Sequence, residues 1–241
     1  MNLVIDIGNT RTKVALFRND KPIKRFSFER VQSRIIEAVL KTYRPVTNAI
    51  ISDVTENQKK IVRELSGIQN VITVRKGIKL PFRNKYKSPS TLGTDRLALA
   101  AGAMKYFPGK NVLVISAGTC ITYDFINSKE EYIGGSISPG LNMRFSALHH
   151  FTAQLPLVKA KKISVLTGKT TSESMLTGVI NGMNYEIDGF ISDYKKKYHD
   201  VKVILTGGDA GLLAGRLKNS IFAAPDLTLI GLNEILKLNV R

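Results

Sequence analysis

The stretch that decides the fold lies near the start of the chain, where LVIDIGNT (residues 3–10) runs directly into RTKVALF (residues 11–17). The apolar beginning is typical of a buried strand, in which an unpaired carboxylate such as that of Asp6 is costly. Gly8 permits a tight turn that a side chain would obstruct. A second apolar run then covers residues 12–17. The stretch therefore predicts a β-hairpin whose first strand ends on a carboxylate.

The tip of this hairpin carries polar groups that suit a polyphosphate and its metal ion. Backbone N–H groups and small hydroxyls bind phosphate oxygens, and a carboxylate binds the cation or its water molecules. An ordinary hairpin turn is the alternative, because glycine and asparagine are turn residues in their own right. The tip presents Asp6, Asn9, Thr10, Arg11 and Lys13.

The composition indicates a globular protein. The chain has 241 residues, of which 43% are hydrophobic and 23% charged, enough for one large domain or two modest ones. No apolar run approaches the roughly 20 residues that span a bilayer, so no membrane partner is expected. The N-terminus lacks the order of a signal peptide. The single cysteine, Cys120, excludes an intramolecular disulfide, and together these features predict a cytoplasmic protein.

The net charge of +17 is the unusual feature of the composition. A basic surface attracts any polyanion, and nucleic acid is one candidate. The 36 lysines and arginines are scattered, however, without zinc-ligand spacing or the aromatic-rich signature of RNA-binding modules. The charge alone therefore supports an anionic small substrate about as well as it supports DNA.

The pattern of the first hairpin is repeated 110 positions later, where LVISAGT (residues 113–119) precedes CITYDFI (residues 120–126). At this offset the apolar residues of the two first strands align, and Gly8 aligns with Gly118. At the same offset Thr12 falls on Thr122. Internal self-similarity of this kind indicates a duplicated unit.

The rest of the chain alternates strands with helices, which favours an α/β fold. Together with the repeated pattern, this predicts two similar domains, residues 1–110 and 111–241, around a central cleft. Gly178, Gly182 and Gly189 are expected to let a long helix pack closely against a neighbour. Helices are predicted near residues 31–43, 57–65, 94–107 and 171–198, and further strands near 24–29, 48–52, 71–74 and 201–205.

A second informative site is TLGTDR, residues 91–96. Gly93 and Thr94 are typical of the entry to a helix, which places Asp95 in the first turn. An aspartate in the first turn stabilises the N-terminus of a helix and needs no further function. The functional alternative is a site for a hydroxylated carboxylate, in which Arg96 pairs with the carboxylate and Asp95 accepts the hydroxyl proton.

A third site is LTGGDA, residues 205–210, where a strand leads through glycines towards a helix. Such a turn lets an anionic ligand approach the backbone, or it serves simply as a turn.

Taken in order, these motifs resemble those of the type III pantothenate kinases, which belong to the acetate kinase, sugar kinase, heat-shock protein and actin superfamily. The resemblance runs nearly end to end and implies a duplicated ribonuclease H-like fold of the actin-like ATPase type. It is carried by DIGNT (6–10) with Lys13, Tyr86 and Pro89 before GTDR (93–96), AGT (117–119), GGSISPG (134–140), TAQLP (152–156), GKTT (168–171), TGGDA (206–210), and PDL (225–227) with GL (231–232).

The family phosphorylates pantothenate with ATP to give 4′-phosphopantothenate, the first step of coenzyme A synthesis, and the resemblance implies a homodimer. It implies that Asp95 is the general base and that Asp6 lies near Mg²⁺, through water. The implied ATP-phosphate residues are Asp6, Ile7, Gly8, Asn9, Thr10, Arg11, Thr12, Lys13 and Thr119. The implied pantothenate residues are Tyr86, Gly93, Thr94, Asp95, Arg96 and Thr171.

One departure from the family concerns a cation. Ser116 stands where the family usually has an aspartate that helps to bind activating K⁺ or NH₄⁺. A serine hydroxyl is a neutral and weaker ligand, so the need for this cation is left open here.

Two other functions stay open at this point. One is a DNA-binding transcriptional accessory protein like the Bvg accessory factors, which the charge of +17 makes physically reasonable. No helix-turn-helix is evident, so no specific nucleic-acid partner is expected. The other is a kinase of the same superfamily with a different acceptor alcohol.

Overall fold

The computed structural model of the protein describes residues 1–29, 33–54 and 59–240. Within these ranges the chain forms two compact units. The first takes in the described residues of 1–109, 128–133 and 226–241, and the second takes in 110–127 and 134–225. The division into folding domains at residues 1–110 and 111–241 stays a prediction.

The elements alternate much as the sequence predicts. The strands are β1 Asn2–Ile7, β2 Thr12–Arg18, β3 Lys21–Phe28, β4 Asn48–Asp53, β5 Asn70–Thr73, β6 Arg83–Asn84, β7 Asn111–Ala117, β8 Cys120–Ile126, β9 Glu131–Pro139, β10 Val201–Thr206 and β11 Phe222–Ala223. The helices are α1 Ser33–Thr42, α2 Lys59–Glu64, α3 Thr94–Tyr106, α4 Leu141–His150, α5 Thr171–Lys197, α6 Ala210–Leu213 and α7 Leu227–Asn239, with one 3-10 turn at Ala214–Arg216.

The first unit contains a five-stranded sheet in the order β3-β2-β1-β4-β5. β1 and β2 form the predicted antiparallel hairpin, and β3 continues it on the outer side. β4 pairs with β1 in parallel, and β5 pairs with β4 in parallel, as strands joined by helical crossovers do. Asp6 thereby lies between Lys13 of β2 and Ser52 of β4 in the sheet register.

Helices cover both faces of this sheet. Leu3, Ile5 and Ile51 pack in one cluster with residues of α1 and α2. Because side chains alternate across a strand, Asp6 and Ser52 face the other side, which α3 and α7 cover. α3 and α7 pack so closely that a Cβ atom at Gly231 would lie 1.8 Å from the Ala98 carbonyl oxygen.

The second unit repeats this strand order. Its strands belong to a six-stranded sheet in the order β11-β10-β7-β8-β9-β6, with β7–β8 antiparallel, β10 parallel to both β7 and β11, and the short β6 parallel to β9 at the edge. Apart from β6, this is the strand order of the first sheet, so the predicted α/β fold with a duplicated unit is confirmed. Its core is formed with α4 and α5.

The two hairpins differ in the length of their turns, which changes one predicted equivalence. Four residues separate β1 from β2, whereas two separate β7 from β8. Asp6 faces Lys13 and Ser116 faces Thr122, so Thr122 is the counterpart of Lys13 and the match of Thr12 with Thr122 is wrong. A constant offset cannot follow the chain across turns of unequal length.

Two further outcomes concern the helices. α3 and α5 lie where the sequence predicts them, whereas residues 31, 32, 57 and 58 of the two earlier predicted helices lie outside the described residues. A Cβ atom at Gly178, Gly182 or Gly189 would meet nothing within 4 Å, so the prediction that they serve close packing is wrong for this chain by itself. Among the described residues, no helix has the length and apolarity needed to cross a membrane.

Candidate active site

The tip of the first hairpin is built as a tight turn with exposed polar side chains. The Gly8 N–H donates to the Arg11 carbonyl at 3.1 Å, which closes the turn. Asn9, Thr10 and Arg11 are exposed, and the Arg11 guanidinium is anchored by a 2.8 Å hydrogen bond from Nε to Ser27 Oγ. Ile7 and Thr12, on either side of the turn, are buried at 7% and 3% exposure.

Asp6 lies in a polar cluster below this turn. Burial raises its pKa to about 6; the positive charge of Lys13 opposes the rise, and the negative charge of Asp95 adds to it. Ser52 donates a hydrogen bond to the Asp6 carboxylate, which favours the ionised form. The structure therefore brings two carboxylates, a lysine and a hydroxyl together within the first unit.

The N-terminus of α3 joins this cluster through a hydroxyl pair. Ser52 Oγ and Thr94 Oγ1 are 3.0 Å apart, and Thr94 is the first residue of α3. The next residue, Asp95, accepts a 2.9 Å hydrogen bond from the backbone N–H of Arg96 through Oδ1. A Cβ atom at Gly93 would lie 2.4 Å from that same carboxylate oxygen, so the glycine leaves room for the carboxylate.

Arg96 and two tyrosines form the neighbouring part of the site. The Arg96 guanidinium carbon lies 5.6 Å from the ring centroid of Tyr86 and 5.9 Å from that of Tyr132, within the range of cation–π attraction. Arg96 is 5% exposed and Tyr132 is fully buried. Sequence reasoning missed Tyr132, because it lies between charged residues and a glycine-rich stretch and nothing local links it to residue 96.

The second unit contains another glycine-rich turn, around Thr119. The Gly140 N–H donates to the Thr119 carbonyl at 3.1 Å, and the Asp209 N–H donates to the Ala117 carbonyl at 3.0 Å. A Cβ atom at Gly140 would lie 2.1 Å from the Gly118 carbonyl oxygen. The motifs AGT, SPG and TGGD therefore converge on the turn between β7 and β8. This turn holds Thr119 exposed.

Ser116 and Asp209 lie close to this turn. Ser116 pairs with Thr206 in the parallel register of β7 and β10. Burial raises the pKa of Asp209, which follows two residues after Gly207. Gly207 has φ +99°, and a Cβ atom there would lie 2.1 Å from the Ala117 carbonyl oxygen, so both backbone and space require glycine.

Thr171 begins α5 and lines a groove of about 790 Å³ between α4 and α5 in the second unit. Thr170 caps the helix, because its hydroxyl accepts the Glu173 N–H at 3.2 Å. The groove lining is chiefly apolar and includes Leu148, Phe151, Leu155, Met175 and Val179.

A polar network fixes α4 to α5 at one side of the groove. Arg144 of α4 forms an ion pair with Glu186 of α5 and donates to Ser138 Oγ at 3.0 Å. The Tyr123 hydroxyl donates to Glu186 at 2.8 Å. Burial alone would raise the pKa of Glu186, but the hydrogen bonds from Arg144 and Tyr123 outweigh it and hold the pKa below its usual range.

Comparison with solved structures defines the class of fold. The chain resembles the activator of 2-hydroxyisocaproyl-CoA dehydratase from Clostridium difficile, solved with bound ADPNP, with a TM-score of 0.54 at 11% identity over 98% of this chain and 93% of that one. A Campylobacter jejuni protein named for the Baf family of transcriptional activators gives 0.61 at 24% identity over 98% of each chain. These similarities show the fold, which is that of the actin-like ATPases and sugar kinases.

Sequence comparison identifies the family within this fold. The sequence model of the type III pantothenate kinases matches residues 2–193. Type III pantothenate kinases from Cytophaga hutchinsonii and Christiangramia forsetii are 47% and 45% identical over 240 residues, covering at least 99% of this chain and of each relative. The chain belongs to the type III pantothenate kinase family.

Proposed function

We propose that this protein phosphorylates pantothenate with ATP to 4′-phosphopantothenate, the first step of coenzyme A biosynthesis. Family membership supports the reaction. The observation that carries the proposal in this chain is the meeting of Asp6 and Asp95 in one cluster, joined through Ser52 and Thr94. Phosphoryl transfer needs mostly positioning and charge neutralisation, and this cluster holds groups for both.

We assign the proton transfer to Asp95. Its carboxylate takes the proton of the acceptor hydroxyl as the oxygen of that hydroxyl bonds to the γ-phosphorus, and the bond from phosphorus to the bridging oxygen of ADP breaks. The hydrogen bond from the Arg96 N–H orients the carboxylate. Arg96, held by Tyr86 and Tyr132, supplies the cation for the substrate carboxylate, and Gly93 and Thr94 complete this side of the site.

We propose residues 6–13 as phosphate-binding residues of the first unit and, separately, Thr119 as a phosphate-binding residue of the second unit. The exposed turn at Asn9 and Thr10 offers backbone N–H groups and a hydroxyl, and Lys13 offers a positive charge. Magnesium, when bound with ATP, neutralises phosphate charge. The oxygens of Asp6 and of the hydroxyl beside it are the ligand type that this ion prefers, directly or through water.

The remaining part of the cofactor assignment is the monovalent cation. We propose that activity in this chain depends less on K⁺ or NH₄⁺ than is usual for the family, because Ser116 offers a hydroxyl where the family has a carboxylate.

We also propose a cytoplasmic homodimer that uses the groove beside Thr171. Phe151, Leu157 and Leu166 of the second unit are 82%, 60% and 74% exposed, an unusual amount of apolar surface. The open space beside Gly178 leaves room for a partner helix. Light scattering on the purified protein should give twice the mass of the chain, and Phe151→Lys should shift it towards the monomer. A monomeric parent would overturn this assignment.

The test of the main proposal is the release of ADP with pantothenate, with other hydroxy acids as competing acceptors. Asp95→Asn should lower kcat by about 10²- to 10⁴-fold, the usual contribution of a general base, while ATP still binds. Activity within a few-fold of the parent would remove Asp95 from this role. Faster turnover of another acceptor would favour a different kinase of the superfamily. The DNA-binding alternative is not favoured, because the relatives that are 45% and 47% identical over nearly the whole chain are named type III pantothenate kinases.

A further inference from the structure

Ser52 is the one member of the carboxylate cluster that no motif in the sequence indicates. It is the fifth residue of β4, completely buried, and it follows the apolar residues Ile50 and Ile51. In the sheet register it stands directly beside Asp6. A hydroxyl with no exposure at the end of an apolar strand has to be hydrogen-bonded, because burying it unpaired is costly.

The partners of this hydroxyl lie on both sides of it. The Ser52 hydroxyl lies beside the Asp6 carboxylate in the sheet register, and it lowers the pKa of that carboxyl as a hydrogen-bond donor does. Ser52 Oγ is also 3.0 Å from Thr94 Oγ1. Either hydroxyl of this pair can be the donor. Ser52 therefore bridges the first residue of α3 and the carboxylate at the end of β1.

The hydrogen bonds of Ser52 join the two halves of the site described above. Asp6 lies on the side assigned to the metal and phosphates, and Thr94 immediately precedes Asp95 on the side assigned to the acceptor. Hydrogen bonds to a carboxylate restrict its orientation as well as stabilising it. We propose that Ser52 is a positioning residue, which orients the Asp6 carboxylate towards magnesium-bound ATP and ties it to the N-terminus of α3. This inference rests on the proposed function.

The same strand provides a matched control at its other end. Asn48, the first residue of β4, donates from Nδ2 to Asn2 Oδ1 at 3.0 Å and accepts from Asn70 Nδ2 at 2.8 Å. Like Ser52, it joins neighbouring elements by side-chain hydrogen bonds. Asn48→Ala is therefore expected to lower the stability of the unit without changing nucleotide binding.

The test measures ATP binding and turnover separately. For Ser52→Ala we expect calorimetry to show Mg·ATP binding weakened by about 10-fold, the size of one hydrogen bond to a charged group. ATP binding in EDTA should stay within about 2-fold of the parent, because Asp6 acts on the metal complex. In turnover, kcat should fall by about 10-fold or more while the KM for pantothenate changes little, since the acceptor residues are intact.

A double-mutant cycle tests the link to α3. Thr94→Val removes the hydroxyl that bonds to Ser52, whereas Thr94→Ser keeps it and should lose less activity. If the hydrogen bonds of Ser52 to Asp6 and to Thr94 act together, the loss of activity in the double variant Ser52→Ala, Thr94→Val should be much smaller than the product of the two separate losses.

Three results would overturn the inference. They are Mg·ATP affinity of Ser52→Ala equal to that of the parent, an equal loss for Asn48→Ala, and fully multiplicative losses in the cycle. If the parent does not phosphorylate pantothenate, the proposed function fails, and the Mg·ATP calorimetry of Ser52→Ala against Asn48→Ala decides the role of Ser52 by itself.

Discussion

Replacing Asp6 by asparagine is expected to stabilise the protein while removing a carboxylate that the proposed reaction needs. Burial is the largest cause that raises the Asp6 pKa from 3.8 to about 6, and the charge of Asp95 adds to it. The folded protein therefore binds this proton more tightly than the unfolded chain does. By linkage, the contribution of Asp6 to stability is highest below pH 3.8 and falls as the pH rises through about 6.

The two pKa values set the size of the effect. Each unit of difference corresponds to about 1.4 kcal/mol, so the ionised Asp6 costs the folded state about 3 kcal/mol at pH 8 and about half as much at pH 5. Asparagine has nearly the same shape without the charge, and Ser52 can donate to its side-chain oxygen. The free energy of unfolding of Asp6→Asn should therefore exceed that of the parent by up to these amounts.

The assay is urea denaturation at pH 8 and at pH 5 in EDTA, followed by circular dichroism because the chain has no tryptophan. Asp20→Asn is the matched control, and it should change the free energy of unfolding in the opposite direction. Hydrogen bonds from Lys105 and Lys237 lower the Asp20 pKa to about 2, so its stabilisation is present above pH 3.8 and is lost as the pH falls towards 2. Asp20 is half exposed, so its loss should be below about 1 kcal/mol at both pH values.

The results for Asp6→Asn separate charge from packing. A variant no more stable than the parent at pH 8 would refute the reasoning that burial of the ionised carboxylate is costly. An equal gain at pH 5 and pH 8 would also refute it, because only a charge effect depends on pH across this range. The variant should in addition lose the magnesium-dependent part of ATP binding.

Three further predictions concern other parts of the molecule. Gly231→Ala should destabilise the protein by about 3 kcal/mol in denaturation, because the new Cβ meets the Ala98 backbone; Gly189→Ala, in open space on α5, should be neutral or gain about 0.5–1 kcal/mol. Turnover of the parent should change little between sodium and potassium buffers, whereas Ser116→Asp should gain potassium activation; a parent that is silent without potassium would contradict this. Nucleic-acid binding in gel shifts should be independent of sequence and disappear near physiological salt, since scattered lysines release counterions without reading bases.

The sequence by itself determined the parts of the fold that depend on local pattern. The hairpin of β1 and β2 follows from two apolar runs around Gly8, and α3 and α5 begin and end close to their predicted limits. The duplication was visible because the repeated stretch preserves that pattern, and the matching strand orders confirm it. These features depend on neighbours in sequence, which periodicity reports.

Only the tertiary structure decided how distant side chains meet. Ser52 forms a hydrogen bond to Thr94, which is 42 positions away in the sequence. Tyr132 of β9 packs against Arg96 of α3. Turn length likewise made Thr122, not the residue predicted by a constant offset, the counterpart of Lys13. Contacts of this kind depend on strand register and helix packing, and a buried hydroxyl at the end of a strand looks the same in sequence whether or not a carboxylate lies beside it.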